Sequence, residues 1–236
     1  MKKKLGIIGG MGPLATAVLF ERIIHYTSAS VDQEHLRIFI DNNTLIPDRT
    51  NFLINKTKDP YPAILSSAIG LKDLGADMLI MPCNTAHYCY STLQKEIGLP
   101  IISIIEATIE VIIKHPHLQK GLGLLGTMGL ATYPNYISLL NTQQITCLSL
   151  DSADQYQIST LIYDIKATGI TQSNQEKWQT ILASLTKKGW SHFILGCTEL
   201  ALMGHQSPHQ ERFINSIDCL AKAAITQCGY PIKGDI

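Results

Sequence analysis

The sequence predicts an α/β protein of two similar halves, each a mostly parallel sheet flanked by helices. Two repeats predict the halves: segment 71–85 recurs at 185–199, and segment 5–12 recurs at 122–129. In both halves, short and fully apolar runs alternate with helical patterns. Strands of that kind belong to parallel sheets that helices cover on both faces, so the repeats and the alternation together predict the fold class.

The first half is predicted to alternate strands and helices, beginning with an apolar strand. Its third apolar run ends just before Cys83, and Gly75 ends the preceding helix as a left-handed cap. The predicted bounds are strand 5–8, helix 13–28, strand 36–40, helix 62–74, strand 78–81, a helix after Cys83, and strand 101–105.

The second half repeats this alternation. Its predicted elements are strand 122–125, a helix beyond Pro134, strand 145–149, helix 175–188, strand 192–195 and a terminal helix near 216–228. In helix 175–188 an apolar stripe lies on one face, and basic residues followed by Gly189 end the helix. The stripe consists of Trp178, Ile181, Leu182 and Leu185.

The composition excludes several kinds of partner. Lys and Arg number 19 and Asp and Glu number 19, so the net charge is zero and neither a nucleic acid nor an anionic membrane is expected. No apolar run approaches the roughly 20 residues of a membrane-spanning helix. Three lysines at 2–4 precede an apolar stretch, as in a signal peptide, but Pro13 and four glycines interrupt it, so we expect a cytoplasmic protein.

Six cysteines are present, and we expect them to be mostly free thiols. Their spacing is irregular, and a disulfide framework is typical of short secreted chains rather than of a chain with its own core. Cys83 and Cys89 lie too far apart for a Cys-x-x-Cys motif, and no second pair completes a zinc site. No metal is therefore expected.

The chemistry is predicted from where the repeated residues fall. Cys83, Cys197, Thr127 and the glycine-rich segment 9–12 all follow predicted strands, and ligands of open α/β sheets bind at the carboxyl ends of strands. If the halves face each other, the two cysteines lie on opposite walls of one cleft. One thiolate could then remove a proton from a carbon while the other thiol returns one to the opposite face, which is racemisation.

Residues beside the cysteines are candidates for binding a carboxylate. Asn84 and Thr85 follow Cys83, and Thr198 and Glu199 follow Cys197, so side-chain and backbone donors could hold the anion there. A helix N-terminus can also lower a cysteine pKa from about 8.5 towards roughly 3.5 to 7.5. For Glu199 two roles remain open: it forms a hydrogen bond within its own loop, or it influences the pKa of Cys197.

The sequence resembles the aspartate/glutamate racemases that work without pyridoxal phosphate, and most closely the aspartate racemases among them. The resemblance covers nearly the whole chain and rests on five motifs in the expected order. They are Gly9-Gly-Met-Gly-Pro-Leu-Ala-Thr16, Gln33-Glu-His35, Ile46-Pro-Asp-Arg-Thr50, Met81-Pro-Cys-Asn-Thr-Ala-His87 and Gly196-Cys-Thr-Glu199.

This resemblance implies two pseudo-symmetric α/β domains with the active site in the cleft between them, one formed by 1–107 and 206–236 and the other by 108–205. It implies a homodimer that needs no cofactor and acts on aspartate or glutamate. Cys83 and Cys197 would be the acid/base pair, with Asn84, Thr85 and Ala86 at the α-carboxylate. Arg49 and Lys166 would bind the side-chain carboxylate, while Leu130 and Asn215 depart from the family pattern and leave the preferred substrate open.

Several alternatives remain. Met11 lines the pocket or is a core methionine, and His87 orients a thiolate or serves packing. Gly10-x-Gly12-x-x-Ala15 with Asp41 also resembles a dinucleotide-binding fingerprint, although alone it is a weak signal. The function could be a broader amino-acid racemase, a dicarboxylate isomerase with a cysteine nucleophile, as in maleate isomerisation, or an amino-acid-binding protein without turnover.

Overall fold

The computed structural model of the chain describes residues 2–132 and 135–234. Seven strands lie within them: β1 (Leu5–Ile8), β2 (Ile38–Asp41), β3 (Met78–Ile80), β4 (Ile101–Ile102), β5 (Leu122–Leu125), β6 (His192–Leu195) and β7 (Phe213–Asn215). The helices are α1 (Pro13–Tyr26), α2 (Arg49–Asn55), α3 (Tyr61–Asp73), α4 (Tyr90–Ile97), α5 (Ile104–Lys114), α6 (Met128–Thr132), α7 (Asn135–Thr142), α8 (Ser152–Thr168), α9 (Gln172–Lys187), α10 (Thr198–His205) and α11 (Ser216–Gln227).

The chain divides into two compact units. The first unit runs to Ala107 and resumes at Ile217, and the second unit is Thr108–Ser216. The sequence assigns 206–216 to the first domain, whereas these residues lie in the second unit because β7 pairs with β6 there.

The first unit contains a four-stranded parallel sheet of order β2-β1-β3-β4. Leu5 of β1 is paired with Ile38 on one side and with Met78 on the other, so β1 and β3 are the two central strands. Both are buried along their whole length, as strands covered on both faces should be. The backbone N–H of Lys3 donates to the carbonyl of Cys228, which follows α11.

The second unit contains a three-stranded parallel sheet of order β5-β6-β7. Apolar residues of α8 and α9 pack against β6, where Trp178 and Trp190 lie in one buried cluster with Phe193. The side chain of Asp151 begins α8 by accepting from Asp154 N, and Lys188 pairs with both carboxylates. These contacts position the loops that follow β5 and β6.

The predicted class, parallel sheets flanked by helices in two similar halves, is confirmed. Strands 36–40 and 78–81 are shifted or shortened by one or two residues, as β2 and β3, and two other predicted strands differ more. Strand 101–105 ends at Ile102 because Ser103 begins α5, its hydroxyl accepting from Glu106 N. Segment 145–149 makes a single bridge between Leu148 and Gly123 instead of a strand. The helix predicted beyond Pro134 is α7, while Pro134 itself lies outside the described residues.

Within the ranges 2–132 and 135–234, none of the helices combines the length and the apolar character that crossing a membrane requires.

Candidate active site

Cys83 lies three residues beyond β3, in a tight turn. β3 pairs with β1 in parallel, Ile80 opposite Ile7, so the segments that follow these two strands leave the sheet at the same edge. Cys83 is half-buried, and a 3₁₀ helix (Thr85–Cys89) begins two residues later, with Asn84 as its N-cap. The predicted carboxylate-binding residues Asn84, Thr85 and Ala86 are all buried in this turn, next to the thiol.

In the glycine-rich segment after β1, other parts of the chain pack against some of the glycines and leave space beside another. Gly10 has a φ of +87°, and a Cβ there would come within 2.2 Å of the Asn43 backbone. Its N–H donates to the Thr16 hydroxyl at 3.0 Å. At Gly12, by contrast, a Cβ would have no described atom within 4 Å. Gly12 is therefore the position of these two glycines that leaves open space. The Met11 side chain packs in the core cluster, which favours a core role for Met11 over lining a pocket.

Arg49 is a buried cation that joins two of the predicted motifs. Its Nη2 donates to the carbonyl of Met11 at 3.0 Å, and its Nη1 donates to the carbonyls of Ile46 and Pro47 at 3.4 and 3.1 Å. Only 9% of the residue is exposed. Its Nε lacks a hydrogen-bond partner, and no carboxylate pairs with the guanidinium, among the residues that the structure describes. A buried charge is normally paired, so this cation favours an anion nearby.

His87 holds the Cys83 turn from inside the first unit. Its Nδ1 lies 2.9 Å from the carbonyl oxygen of Cys83, and its Nε2 accepts from the backbone N–H of Ile104 at 3.2 Å. An imidazole that accepts at Nε2 carries its proton at Nδ1, so the ring is neutral and donates to Cys83. Burial lowers the pKa of His87 to about 4, against an ordinary value of 6.5.

The ring of His87 also stacks on Tyr90, with centroids 5.7 Å apart. The Tyr90 hydroxyl in turn donates to the carbonyl of Ile101 at 3.1 Å. The turn that carries Cys83 is thereby tied to β4 and to the start of α5. The sequence leaves the role of His87 open between orienting a thiolate and packing; its spacing of four residues from Cys83 is the signal that could have suggested the contact with the Cys83 carbonyl.

Cys197 occupies the corresponding place in the second unit. It follows β6 by two residues and is the N-cap of α10. Its thiol donates to Oε2 of Glu199 at 2.8 Å, so the contact left open by the sequence is a direct one. Glu199 is 6% exposed, and Thr198 between them is buried as well. The strand β5 beside β6 ends at Leu125, which places Thr127 at the same edge.

Thr127 and Leu130 form the turn after β5. The Thr127 hydroxyl accepts from Leu130 N at 3.3 Å, which caps α6. Leu130, where the sequence departs from the family pattern, is 2% exposed and lies so close to Gly126 and Gly196 that a Cβ on either would contact it at 2.6 or 2.5 Å. Leu130 therefore packs the loops of β5 and β6 together, while Asn215 Nδ2 lies 3.0 Å from His205 Nε2.

Lys166 and the remaining cysteines complete the predicted residues. Lys166 lies on the exposed face of the last turn of α8, its Nζ 5.4 Å from the centroid of the Tyr163 ring. Burial raises the pKa of Cys89 and Cys147 to about 12 and that of Cys228 to about 11, as expected of structural thiols. Within the described ranges, no group of three or more His, Cys, Asp or Glu side chains could hold a metal ion.

Each unit thus gathers its own set of candidates. In the first, Arg49 and Met11 are joined by a hydrogen bond at the sheet edge that also bears Cys83. In the second, Thr127 and segment 197–199 follow neighbouring strands. The Arg49–Met11 bond and the Ile104–His87 bond were not predicted, because their partners are distant in sequence.

A model of the Asp/Glu/Hydantoin racemase family matches residues 8–224. The chain therefore belongs to this family, which confirms the predicted recognition and the predicted enzyme class, a racemase and hence an isomerase.

Individual proteins agree with this assignment. The chain is 28% identical over 228 residues to the broad specificity amino-acid racemase RacX of Bacillus subtilis (strain 168), covering 94% of this chain and 96% of that protein. The solved aspartate racemase of Picrophilus torridus has a TM-score of 0.83 at 28% identity, over 98% of this chain and 96% of that one. An aspartate racemase homologue from Pyrococcus horikoshii OT3, with a TM-score of 0.74 at 23% identity over 96% and 99%, shares the fold.

Proposed function

We propose that the protein racemises aspartate by a two-base mechanism in which Cys83 and Cys197 act on the same α-carbon. The thiolate of one cysteine takes the α-proton and becomes a thiol. The substrate passes through a planar, enolate-like carbanion, and the thiol of the other cysteine donates its proton to the opposite face and becomes a thiolate. The substrate is inverted, and the two cysteines have exchanged their protonation states.

The observation that carries the substrate class is the buried guanidinium of Arg49. Three carbonyl oxygens hold it, and within the described part of the chain no carboxylate neutralises it. A substrate with a second carboxylate supplies the missing negative charge, and a neutral amino acid does not. Arg49 is joined to the segment after β1, and β1 pairs with the strand that leads to Cys83, which favours an acidic substrate handled beside that thiol.

The donors of the Cys83 turn suit the other end of such a substrate. Asn84 begins a 3₁₀ helix, and Thr85 and Ala86 are its first residues. Backbone N–H groups and the two polar side chains would stabilise the α-carboxylate, most strongly when the carbanion adds charge to it in the transition state. Lys166 is also proposed to bind the side-chain carboxylate of the substrate, and this part of the proposal rests only on the resemblance to the aspartate racemases.

Incubation of the protein with L-aspartate in heavy water tests the function. We expect α-deuterium in the amino acid and the appearance of D-aspartate by chiral chromatography, without added pyridoxal phosphate. Absence of both would overturn the proposal. Mass spectrometry after mixing with maleate distinguishes the dicarboxylate isomerase, since only that reaction forms a covalent adduct with an unsaturated diacid.

Single substitutions test the two-base mechanism. Cys83→Ala and Cys197→Ala should each abolish racemisation, because each leaves only one acid/base group. Any exchange that remains should be confined to one enantiomer, and to opposite enantiomers in the two variants. Cys147→Ala is the matched control, since that thiol is remote in sequence and its raised pKa keeps it protonated, and it should racemise like the wild type. Full racemisation by either site variant would remove the mechanism.

A second candidate, a racemase of broader specificity, is favoured by the similarity to RacX, which bears that description. A panel of acidic and neutral amino acids separates the two candidates. If the Arg49 charge sets the specificity, aspartate and glutamate should be racemised far faster than alanine or asparagine. Comparable values of kcat/KM across the panel would support the broader enzyme.

A further inference from the structure

Glu199 is a buried carboxylate turned towards a thiol. It stands in the first turn of α10, and its side chain folds back to the N-cap, where Oε2 accepts from the Cys197 thiol at 2.8 Å. The residue is 6% exposed. A buried carboxylate at this place satisfies the positive end of the helix dipole with its own negative charge. The sulfur is then not required to carry that charge.

The proton in this pair belongs on the sulfur. A thiol has an ordinary pKa of about 8.5 and a glutamate about 4.3, so in a shared hydrogen bond the thiol donates and the carboxylate accepts. Ionising Cys197 would place a second negative charge within hydrogen-bond distance of the first, and nearby like charges oppose each other's ionisation. Partial burial strengthens that opposition, since less water screens the two charges.

The other acidic, basic and histidine side chains on α10 and on the elements packed against it have contacts of their own, and Tyr156 of α8 is exposed. α8 carries Asp154, paired with Lys188, Asp164, paired with Lys177, and Lys166, which lies over the Tyr163 ring. β6 begins with His192, whose Nδ1 contacts the Lys120 carbonyl, and α10 ends with His205, which contacts Asn215. Glu199, by contrast, makes a direct hydrogen bond with the Cys197 sulfur.

The first repeat has a different residue at the matching position. Two residues beyond Cys83 stands Thr85, so the repeat that supplies a carboxylate at Cys197 supplies a hydroxyl at Cys83. The carbonyl of Cys83 is held by a neutral His87, which adds no negative charge. The two thiols thus have the same position after a strand, but among the contacts of the described residues a carboxylate contacts only the Cys197 thiol.

We infer that Glu199 is a positioning residue that holds the proton on Cys197, so that Cys83 ionises first and is the base of the free enzyme. As a role in catalysis the inference rests on the proposed two-base racemisation. As a statement about proton positions it concerns the free protein, and it is tested there without turnover. The enzyme form with its thiolate at Cys83 binds the enantiomer whose α-proton points to that sulfur.

The test is the pH dependence of thiol alkylation in the intact chain without substrate. Iodoacetamide reacts with the thiolate, and mass spectrometry of the peptides follows Cys83 and Cys197 separately. In the wild type, Cys83 should be alkylated at a lower pH midpoint than Cys197. Glu199→Gln keeps the size of the side chain but removes its charge, and should lower the Cys197 midpoint by about one pH unit or more while leaving that of Cys83 unchanged.

Two further variants make the result specific. Glu211→Gln removes a carboxylate that is exposed on the same unit, and it should leave both midpoints at the wild-type value. Glu199→Asp keeps the charge but shortens the side chain, so it should lower the Cys197 midpoint less than the glutamine variant; it also serves if circular dichroism shows that Glu199→Gln has not folded. A Cys197 midpoint that is below that of Cys83, or that is unmoved in a folded Glu199→Gln, overturns the inference.

The inference and the proposed function fail in different ways. A protein that makes no D-aspartate but shows the shift in Glu199→Gln keeps the proton assignment and loses the function. A protein that racemises aspartate but shows no shift keeps the function and loses Glu199 as the residue that sets the base.

Discussion

His87 should make the protein lose stability as the pH falls below neutrality. The folded protein keeps this ring neutral, with a pKa of about 4, because it is buried and its Nε2 accepts from Ile104 N. In the unfolded chain the ring returns to the ordinary value of about 6.5. Between these two values the unfolded chain binds the additional proton, so the free energy of unfolding rises with pH.

The size of the effect follows from the two pKa values. The stabilising contribution is fully present above about pH 6.5 and is lost as the pH falls through about 4. One pH unit of difference corresponds to about 1.4 kcal/mol, so the complete loss is about 3 kcal/mol. Between about pH 7 and about pH 5 the loss is about 2 kcal/mol, a large part of the stability of an ordinary domain.

Urea unfolding at about pH 7 and about pH 5 measures this loss of stability. The variant His87→Gln removes the titrating ring and serves as the comparison. Far-ultraviolet circular dichroism is the appropriate signal, because Trp178 and Trp190, which report by fluorescence, both lie in the second unit. The wild type should lose about 2 kcal/mol more than His87→Gln on acidification. His25→Gln, at an exposed histidine of the first unit, should behave like the wild type. Equal losses in wild type and His87→Gln would refute the reasoning.

Three further substitutions test the site and its supports. Arg49→Lys keeps a positive charge but loses the planar fork that three carbonyls hold, so KM for aspartate should rise about tenfold with a smaller change in kcat, measured by steady-state racemisation. Gly10→Ala forces a side chain into a φ of +87° with its Cβ 2.2 Å from the Asn43 backbone, and should cost about 1 to 3 kcal/mol in urea unfolding. Gly123→Ala would place a Cβ 1.8 Å from the Trp190 ring, and should lower the thermal midpoint and shift tryptophan fluorescence.

The two glycine substitutions each have a matched control. For Gly10, the control is Gly12→Ala, where no described atom lies within 4 Å of the added Cβ and the backbone is extended, so stability should change little. For Gly123, it is Gly70→Ala in α3, also without a described neighbour, where alanine should stabilise the helix by up to about 1 kcal/mol. Equal effects within either pair would contradict the packing argument, and an unchanged KM in Arg49→Lys would contradict the role of the guanidinium.

The elements predicted well from the sequence are those that local patterns define. The apolar stripe of α9 predicted that helix, and the structure begins it earlier, at Gln172, because the Thr171 side chain accepts from Asn174 N. Strand 5–8 and strand 192–195 were predicted with their observed bounds. The strand β7 was absent from the prediction because three residues carry too little pattern, and its pairing with β6 is a long-range contact.

In the candidate site, too, the features that a local pattern defines were predicted and the long-range contacts were not. The position of Cys83 and Cys197 after strands follows from the repeat, since parallel strands bring their carboxyl ends to one edge. The bond from Arg49 to Met11 spans 38 residues and that from Ile104 to His87 spans 17, so no local pattern contains either. The Cys197–Glu199 contact spans two residues, but whether a side chain folds back depends on packing that the sequence does not reveal.

The asymmetry between the two thiols is limited by thermodynamics. Enantiomers have equal free energies in solution, so a racemase must have the same kcat/KM in both directions, whatever charge stands beside one cysteine. A carboxylate at Cys197 and a hydroxyl at the matching position near Cys83 can therefore make kcat differ between the two directions only if KM differs by the same factor. Glu199→Gln must then change kcat/KM for L- and D-aspartate by the same factor, while the ratio of the two KM values is free to move. Unequal factors would mean that the measured reaction is not a simple racemisation, so the two factors test the function, while a change in the ratio of the two KM values tests the role of Glu199.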